Sequence, residues 1–156
     1  MKVICVSAVA AALMLATPAL AGPIPDGGVT AAEVAAVMLS KGFKAEITKD
    51  SDGDPMIISG VDGTTFRVLF YGCKPTKRCM AIQFASGFDL KTGLSLQQIN
   101  NWNRNNRFGR GYLDDDMDPI VHMDVDLEHG ATTEAVANVL ATWSSVVPAF
   151  KAFMRE

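Results

Sequence analysis

Apolar residues along this chain recur with two periods, and the period switches at runs of turn-forming residues. Thr30, followed three positions later by Glu33, forms a capping box. It predicts a short helix over Ala31 to Lys41 that ends at Gly42, a left-handed cap. Phe43, Ala45 and Ile47 then alternate with Lys44, Glu46 and Thr48, the pattern of a strand with one wet face. Asp50-Ser-Asp-Gly-Asp-Pro turns the chain into Met56 to Ser59, and Asp62-Gly63 makes a second tight turn. Phe66, Val68 and Phe70 mark a further strand, with Met80, Ile82 and Phe84 on its neighbour.

A second helix begins near Ser95, which Gln98 can reach back to, and it carries Leu96, Ile99, Trp102 and Asn103 on one side before ending by Gly109. Arg110 to Leu113 and Ile120 to Leu127 read as a hairpin around Asp114 to Pro119. Thr132 or Thr133 starts the longest helix, where Val136, Leu140, Trp143, Val147, Phe150 and Met154 recur every three or four residues and must be buried. Pro148 lies inside that pattern and predicts a kink or a restart. Helix, four strands, helix, two strands, helix implies an α+β domain, an antiparallel sheet with helices packed on one face.

The first 21 residues depart from both periods: a basic start at Lys2, an apolar stretch from Val3 to Ala16, and Ala19-Leu20-Ala21. This is the form of a signal peptide cut after Ala21. About 14 apolar residues fall short of the roughly 20 that cross a bilayer, so no membrane attachment is expected once the leader is removed. Residues 22–29, rich in Pro and Gly, read as a flexible tether, and residues 30–156 as a single domain. A periplasmic or secreted location follows. Without Lys2 the balance is 13 basic against 17 acidic residues, which lacks the electrostatic drive for nucleic-acid binding.

Export gives the cysteines a meaning. Cys5 leaves with the leader, so Cys73 and Cys79 remain, and in an oxidising compartment an even pair predicts a disulfide. Strand register supplies a separate argument, because pairing Phe70 with Ile82 and Val68 with Phe84 also sets Cys73 opposite Cys79. Five residues separate the two cysteines where a redox-active pair has two.

Two acidic features bear on metal chemistry. Asp50-Ser-Asp-Gly-Asp-Pro-Met-Ile and Asp114-Asp-Asp-Met-Asp-Pro-Ile-Val align position for position as a weak internal repeat of hairpin turns. Neither has the Gly and Glu that a calcium loop needs at its sixth and twelfth places, where Pro55, Val61, Pro119 and Val125 stand instead. His122, Asp124, Asp126 and Glu128 share one strand face at intervals of about 6.7 Å. They could hold a divalent cation or serve a hydrolytic site, which is the alternative reading of this hairpin. Cross-strand pairing explains the row without a ligand: matching Leu113 with Val121 sets Tyr112 against His122 and Arg110 against Asp124. No nucleophile elbow or phosphate cradle is present. The chain is therefore expected to be no enzyme and to carry no cofactor and no metal.

Asn100 to Pro119 packs a Trp, three Arg, five Asn and four Asp into one stretch. Its Asn-Trp-Asn-Arg, Arg-Phe-Gly-Arg, Tyr-Leu-Asp-Asp and Asp-Pro elements resemble the signature of the YbjN-domain family, bacterial proteins labelled sensory transduction regulators. Supporting stretches are FYGC at Phe70 to Cys73, SGFDL at Ser86 to Leu90 and MDVDLEHG at Met123 to Gly130, within a resemblance that spans Thr30 to Phe153. It implies the fold of type III secretion chaperones, proteins that are usually dimeric and hold an extended polypeptide. Five Asn are poor helix formers, and Trp, Arg and Tyr dominate binding energy at interfaces. Trp102, Asn103, Arg104, Arg107, Arg110 and Tyr112 are thus the candidate recognition patch, unless Trp102 is buried and Asn103 and Arg107 bond neighbouring loops. The expected function is a secreted binding module, a regulator or chaperone-like protein for a polypeptide partner, compatible with a homodimer.

Overall fold

The structure is a computed structural model that describes residues 22–24 and 27–155. The leader and its cut after Ala21 lie outside the described residues. Among these residues, three helices, α1 (Ala31–Ser40), α2 (Leu96–Asn105) and α3 (Thr133–Phe153), accompany eight strands. These are β1 (Pro23–Ile24), β2 (Glu46–Lys49), β3 (Pro55–Val61), β4 (Thr64–Cys73), β5 (Cys79–Gly87), β6 (Arg110–Leu113), β7 (Pro119–Asp126) and β8 (Ala131–Thr132). Six of the strands form one antiparallel sheet in the order β2-β3-β4-β5-β7-β6, and β1 pairs with β8 apart from it.

The alternation that marks β4 and β5 divides the sheet into two unlike faces. Phe66, Val68 and Phe70 are buried on one face with Ile82 and Phe84 opposite them. Trp143 of α3 packs on this layer, its indole 6.0 Å from Phe66 and 5.9 Å from Phe84 between ring centroids. α1 lies over β2 and β3, and α2 over β6, so all three helices cover the same face. Apolar burial of this kind contributes about 1.5–3 kcal/mol per large side chain. It also carries α3 unbroken through Pro148, with Val147 and Phe150 buried on either side of it. The predicted restart at Pro148 does not occur, because those anchors outweigh one missing hydrogen bond.

Both predicted capping boxes form, at Thr30 with Glu33 and at Ser95 with Gln98. The Cys73–Cys79 disulfide closes the β4–β5 hairpin in the register expected from Phe70 with Ile82. The segment before α1 is not a free tether. Ile24 is 4 % exposed, Val29 exchanges backbone hydrogen bonds with Cys79, and the Gly22 N–H donates to Thr133 Oγ1 at 2.9 Å. Gly28 sits so close to this corner that a Cβ there would collide with the Cys79 carbonyl. Composition alone suggested mobility, whereas the apolar Ile24 and Val29 are what dock it. Arg78, inside the disulfide loop, completes the corner by donating to the Gly28 carbonyl and to Glu33 at 3.2 Å. Burial pushes the Glu33 pKa up, but hydrogen bonds from Thr30 and the Arg78 guanidinium outweigh it and hold this carboxyl below its ordinary range.

Candidate functional site

Among the described residues, no helix covers the second face of the sheet. Alternation places Arg67, Leu69 and Tyr71 of β4 there, beside Ala81, Gln83 and Ala85 of β5, His122 and Asp124 of β7, and Arg110 and Tyr112 of β6. Met56 and Ile58 of β3 extend it towards β2. A cleft of about 530 Å³ runs across it, lined among others by Arg67, Leu69, Tyr71, Gln83, Tyr112 and Ile120. Tyr71 and Tyr112 are both exposed.

A polar relay fixes the centre of this face. The Tyr71 hydroxyl donates to Gln83 Oε1 at 3.4 Å, and Gln83 Nε2 donates to Asp124 Oδ1 at 2.7 Å, so three neighbouring strands are linked by side chains. Burial, and after it the negative charge of Asp124 and Asp50, pushes the Tyr71 pKa above its ordinary value. The phenol therefore stays protonated and acts as a donor at any physiological pH. Arg67 and Arg110 form no ion pair with a described residue, which leaves two guanidinium groups free on the same face.

The register of β6 on β7 differs from the sequence expectation by two residues. Arg110 lies opposite His122, Tyr112 opposite Ile120 and Leu113 opposite Pro119. The cause is the turn between them. Asp114 closes it tightly, its N–H donating to the Asp118 carbonyl and its Oδ1 accepting from the N–H groups of Asp116 and Asp118. A shift of two keeps every side chain on its predicted face, and Tyr112 still meets His122 edge-on at 5.3 Å between ring centroids. Asp124 finds Gln83 instead of Arg110.

The six residues of the candidate patch fall into three places. Trp102 is 2 % exposed, packs edge-on against Phe150 with centroids 4.8 Å apart, and donates its Nε1–H to the Gly109 carbonyl at 2.7 Å. Asn103 accepts from the Gly111 N–H at 2.9 Å and donates to the Gly111 carbonyl at 3.1 Å. Its carboxamide thus substitutes for one residue of a neighbouring strand and satisfies the outward groups of Gly111 on the β6 edge. A Cβ at position 111 would press on Trp102, Phe150 and Ile99 at 3.2 to 3.5 Å, so glycine here is what lets α2 approach. Arg104 and Arg107 are exposed on the helical side, where the Arg107 guanidinium lies 5.3 Å from the centroid of the neighbouring Phe108 ring. Only Arg110 and Tyr112 reach the bare face of the sheet.

Residues 30–156 match the model of the YbjN family, whose description reads "Putative bacterial sensory transduction regulator". The chain belongs to this family. No curated protein and no solved structure matches the chain. Much of the signature stretch of this YbjN chain is structural, since Trp102, Asn103, Asn106, Gly109 and Gly111 bond or pack with one another around the β6 edge. Arg67, Leu69 and Tyr71, which line the cleft, were not among the sequence candidates, although they alternate with the buried Phe66, Val68 and Phe70 and were findable by that period.

The side chains of the acidic row do not converge. Asp124 is bonded to Gln83, Asp126 accepts from the Glu128 N–H at 2.9 Å, and Glu128 lies beyond the end of β7. Among the described residues no three His, Cys, Asp or Glu side chains are grouped to hold a metal ion.

Proposed function

We propose that this YbjN protein is an exported, non-enzymatic module that binds a polypeptide partner on the bare face of its sheet, in a regulatory or chaperone-like role. Family membership supports a regulatory or binding module in general terms. The observation that carries the finer reading is the composition of that face: exposed Tyr71 and Tyr112, half-buried Leu69 and Ile120, and the unpaired Arg67 and Arg110 line or border one cleft. Aromatic and Arg side chains on an uncovered, partly apolar surface are the groups that dominate affinity at protein interfaces. Arg67 and Arg110 suit a partner with carboxylates, which a guanidinium engages through two parallel hydrogen bonds.

Export is supported by the leader pattern of residues 1–21, and the disulfide fits an oxidising compartment. No described helix is long and apolar enough to cross a membrane. The secretion-chaperone fold that the sequence resemblance implies supports an extended polypeptide as the occupant.

Affinity capture of the oxidised protein from its native envelope extract, with mass spectrometry of what is retained, tests the reading. A near-stoichiometric polypeptide should be retained by the parent protein and by Arg107→Ala, and lost with Tyr112→Ala and Arg67→Glu. Loss with Arg107→Ala alone would move the site to the helical side, and an empty column would end the polypeptide reading.

A further inference from the structure

The β2 edge of the sheet has no counterpart to Asn103. The Asp50 N–H donates to the Asp54 carbonyl and Ser59 Oγ donates to the Lys44 carbonyl, so Lys44, Glu46, Thr48 and Asp50 direct their backbone groups toward β3. Pro55, which has no N–H, lies opposite Lys49, as this alternation requires. The N–H and C=O groups of Ala45, Ile47 and Lys49 therefore point away from the sheet, and among the described residues no side chain or loop bonds them. Ile47 is 51 % exposed, and Leu39, at 59 %, lines the depression beside the same edge with Phe43 and Ala45.

We propose that β2 pairs with β2 of a second copy of this chain, antiparallel about a two-fold axis normal to the sheet, so that two six-stranded sheets become one. Such an axis keeps the helices of both copies on one side and pairs only residues of the same face. Axes centred on any residue from Ala45 to Lys49 bring outward groups together. Centring on Ile47 sets Ile47 against its own copy, Lys44 opposite Asp50, and Glu46 opposite Thr48. Centring on Thr48 would oppose Glu46 with Asp50, centring on Glu46 or Lys49 would set that charge against its own copy, and centring on Ala45 would set Ile47 against Phe43, whose N–H is already given to the Met38 carbonyl. Only the register centred on Ile47 engages all three outward residues without opposing like charges. A four-residue strand is small beside the roughly 800 Å² that each partner buries in a stable complex. The outer face of α1 adds to it, because Ala32, Ala36 and Leu39 are exposed there at helical spacing without a charged residue among them. Pairing in the plane of the sheet leaves the bare face free, so dimerisation and partner capture are separable.

Sedimentation equilibrium of the purified, oxidised protein at tens of micromolar should give a dimer, and Ile47→Lys, which sets two cations face to face, should give a monomer with unchanged circular dichroism. In the proposed register the two Cα atoms at position 47 lie about 5.5 Å apart, within reach of a disulfide, so Ile47→Cys should cross-link on oxidation. Copies of position 48 sit diagonally at about 7–8 Å, and Thr48→Cys should cross-link far less. A parent protein that is monomeric throughout, a dimer that persists in Ile47→Lys, or a dimer lost only with Tyr112→Ala would each overturn the proposal.

Discussion

Two turns in this molecule share a sequence pattern and a backbone, and differ only in what lies next to them. Asp50 and Asp114 each accept two N–H groups on Oδ1, from Asp52 and Asp54 in one turn and from Asp116 and Asp118 in the other, at 2.9 to 3.0 Å. Each also donates its own N–H to the residue four positions on, and each turn places its fourth residue at positive φ, Gly53 at 88° and Met117 at 64°. The first turn projects into solvent. The second is the floor for the loop that leads into α2: Leu90 N–H donates to Asp118 Oδ1, Leu94 N–H to the Met117 carbonyl and Phe88 N–H to the Pro119 carbonyl. A local pattern can thus determine a turn without revealing whether the rest of the protein rests on it.

The largest separation between the turns should come from their contacts. Gly93 has φ 61°, and a Cβ there would meet the Met117 carbonyl oxygen at 2.6 Å. Gly93→Ala should cost about 1–2 kcal/mol for the left-handed backbone plus about 1–3 kcal/mol for the overlap. Gly53→Ala, with open space around it, should show the backbone cost alone, and equal losses in urea unfolding would erase the distinction. Next comes Asp118→Ala, which removes a charge-assisted bond to the loop and should cost about 1.5–3 kcal/mol. Asp54→Ala, whose side chain bonds no described residue, should fall within about 0.5 kcal/mol of the parent protein.

Where the turns are alike, the responses should converge. Asp50→Ala and Asp114→Ala each remove an acceptor of two backbone N–H groups, and each should cost about 1–2 kcal/mol. Met117→Gly should raise stability by up to about 1 kcal/mol, the left-handed strain of Met less the chain entropy of Gly. The smallest effect concerns ions. With Oδ1 of Asp50 and of Asp114 already given to backbone N–H groups, chelation of divalent cations should leave the melting temperature unchanged, and a clear fall on adding a chelator would restore the metal reading.

The repeat of these turns was legible in the sequence because a turn is closed by its own residues. The capping boxes at Thr30 and Ser95 were legible for the same reason, and so was the disulfide, since apolar alternation sets the register that brings Cys73 opposite Cys79. The β6–β7 register was read two residues off because the five-residue turn from Asp114 to Asp118 closes more tightly than its Pro and Asp content suggests. The segment from Gly22 to Val29 was read as loose because docking depends on distant partners, Cys79 and Thr133, which composition does not contain. The candidate patch separated for a similar reason. Neighbours in sequence at Trp102 to Tyr112 pass from a helix, through Gly109, into an edge strand, and the change of element sends them to the core, the helical surface and the bare face in turn.

What this sequence determined by itself is the set of elements and the side of each that is apolar, since both follow from contacts within a few residues and from the periods of helix and strand. The tertiary structure alone decided that β7 inserts between β5 and β6, and that, among the described residues, one sheet edge meets a carboxamide while the other stays open. Each of these is settled by residues far apart in the chain competing for the same surface, and no local pattern records the outcome of that competition.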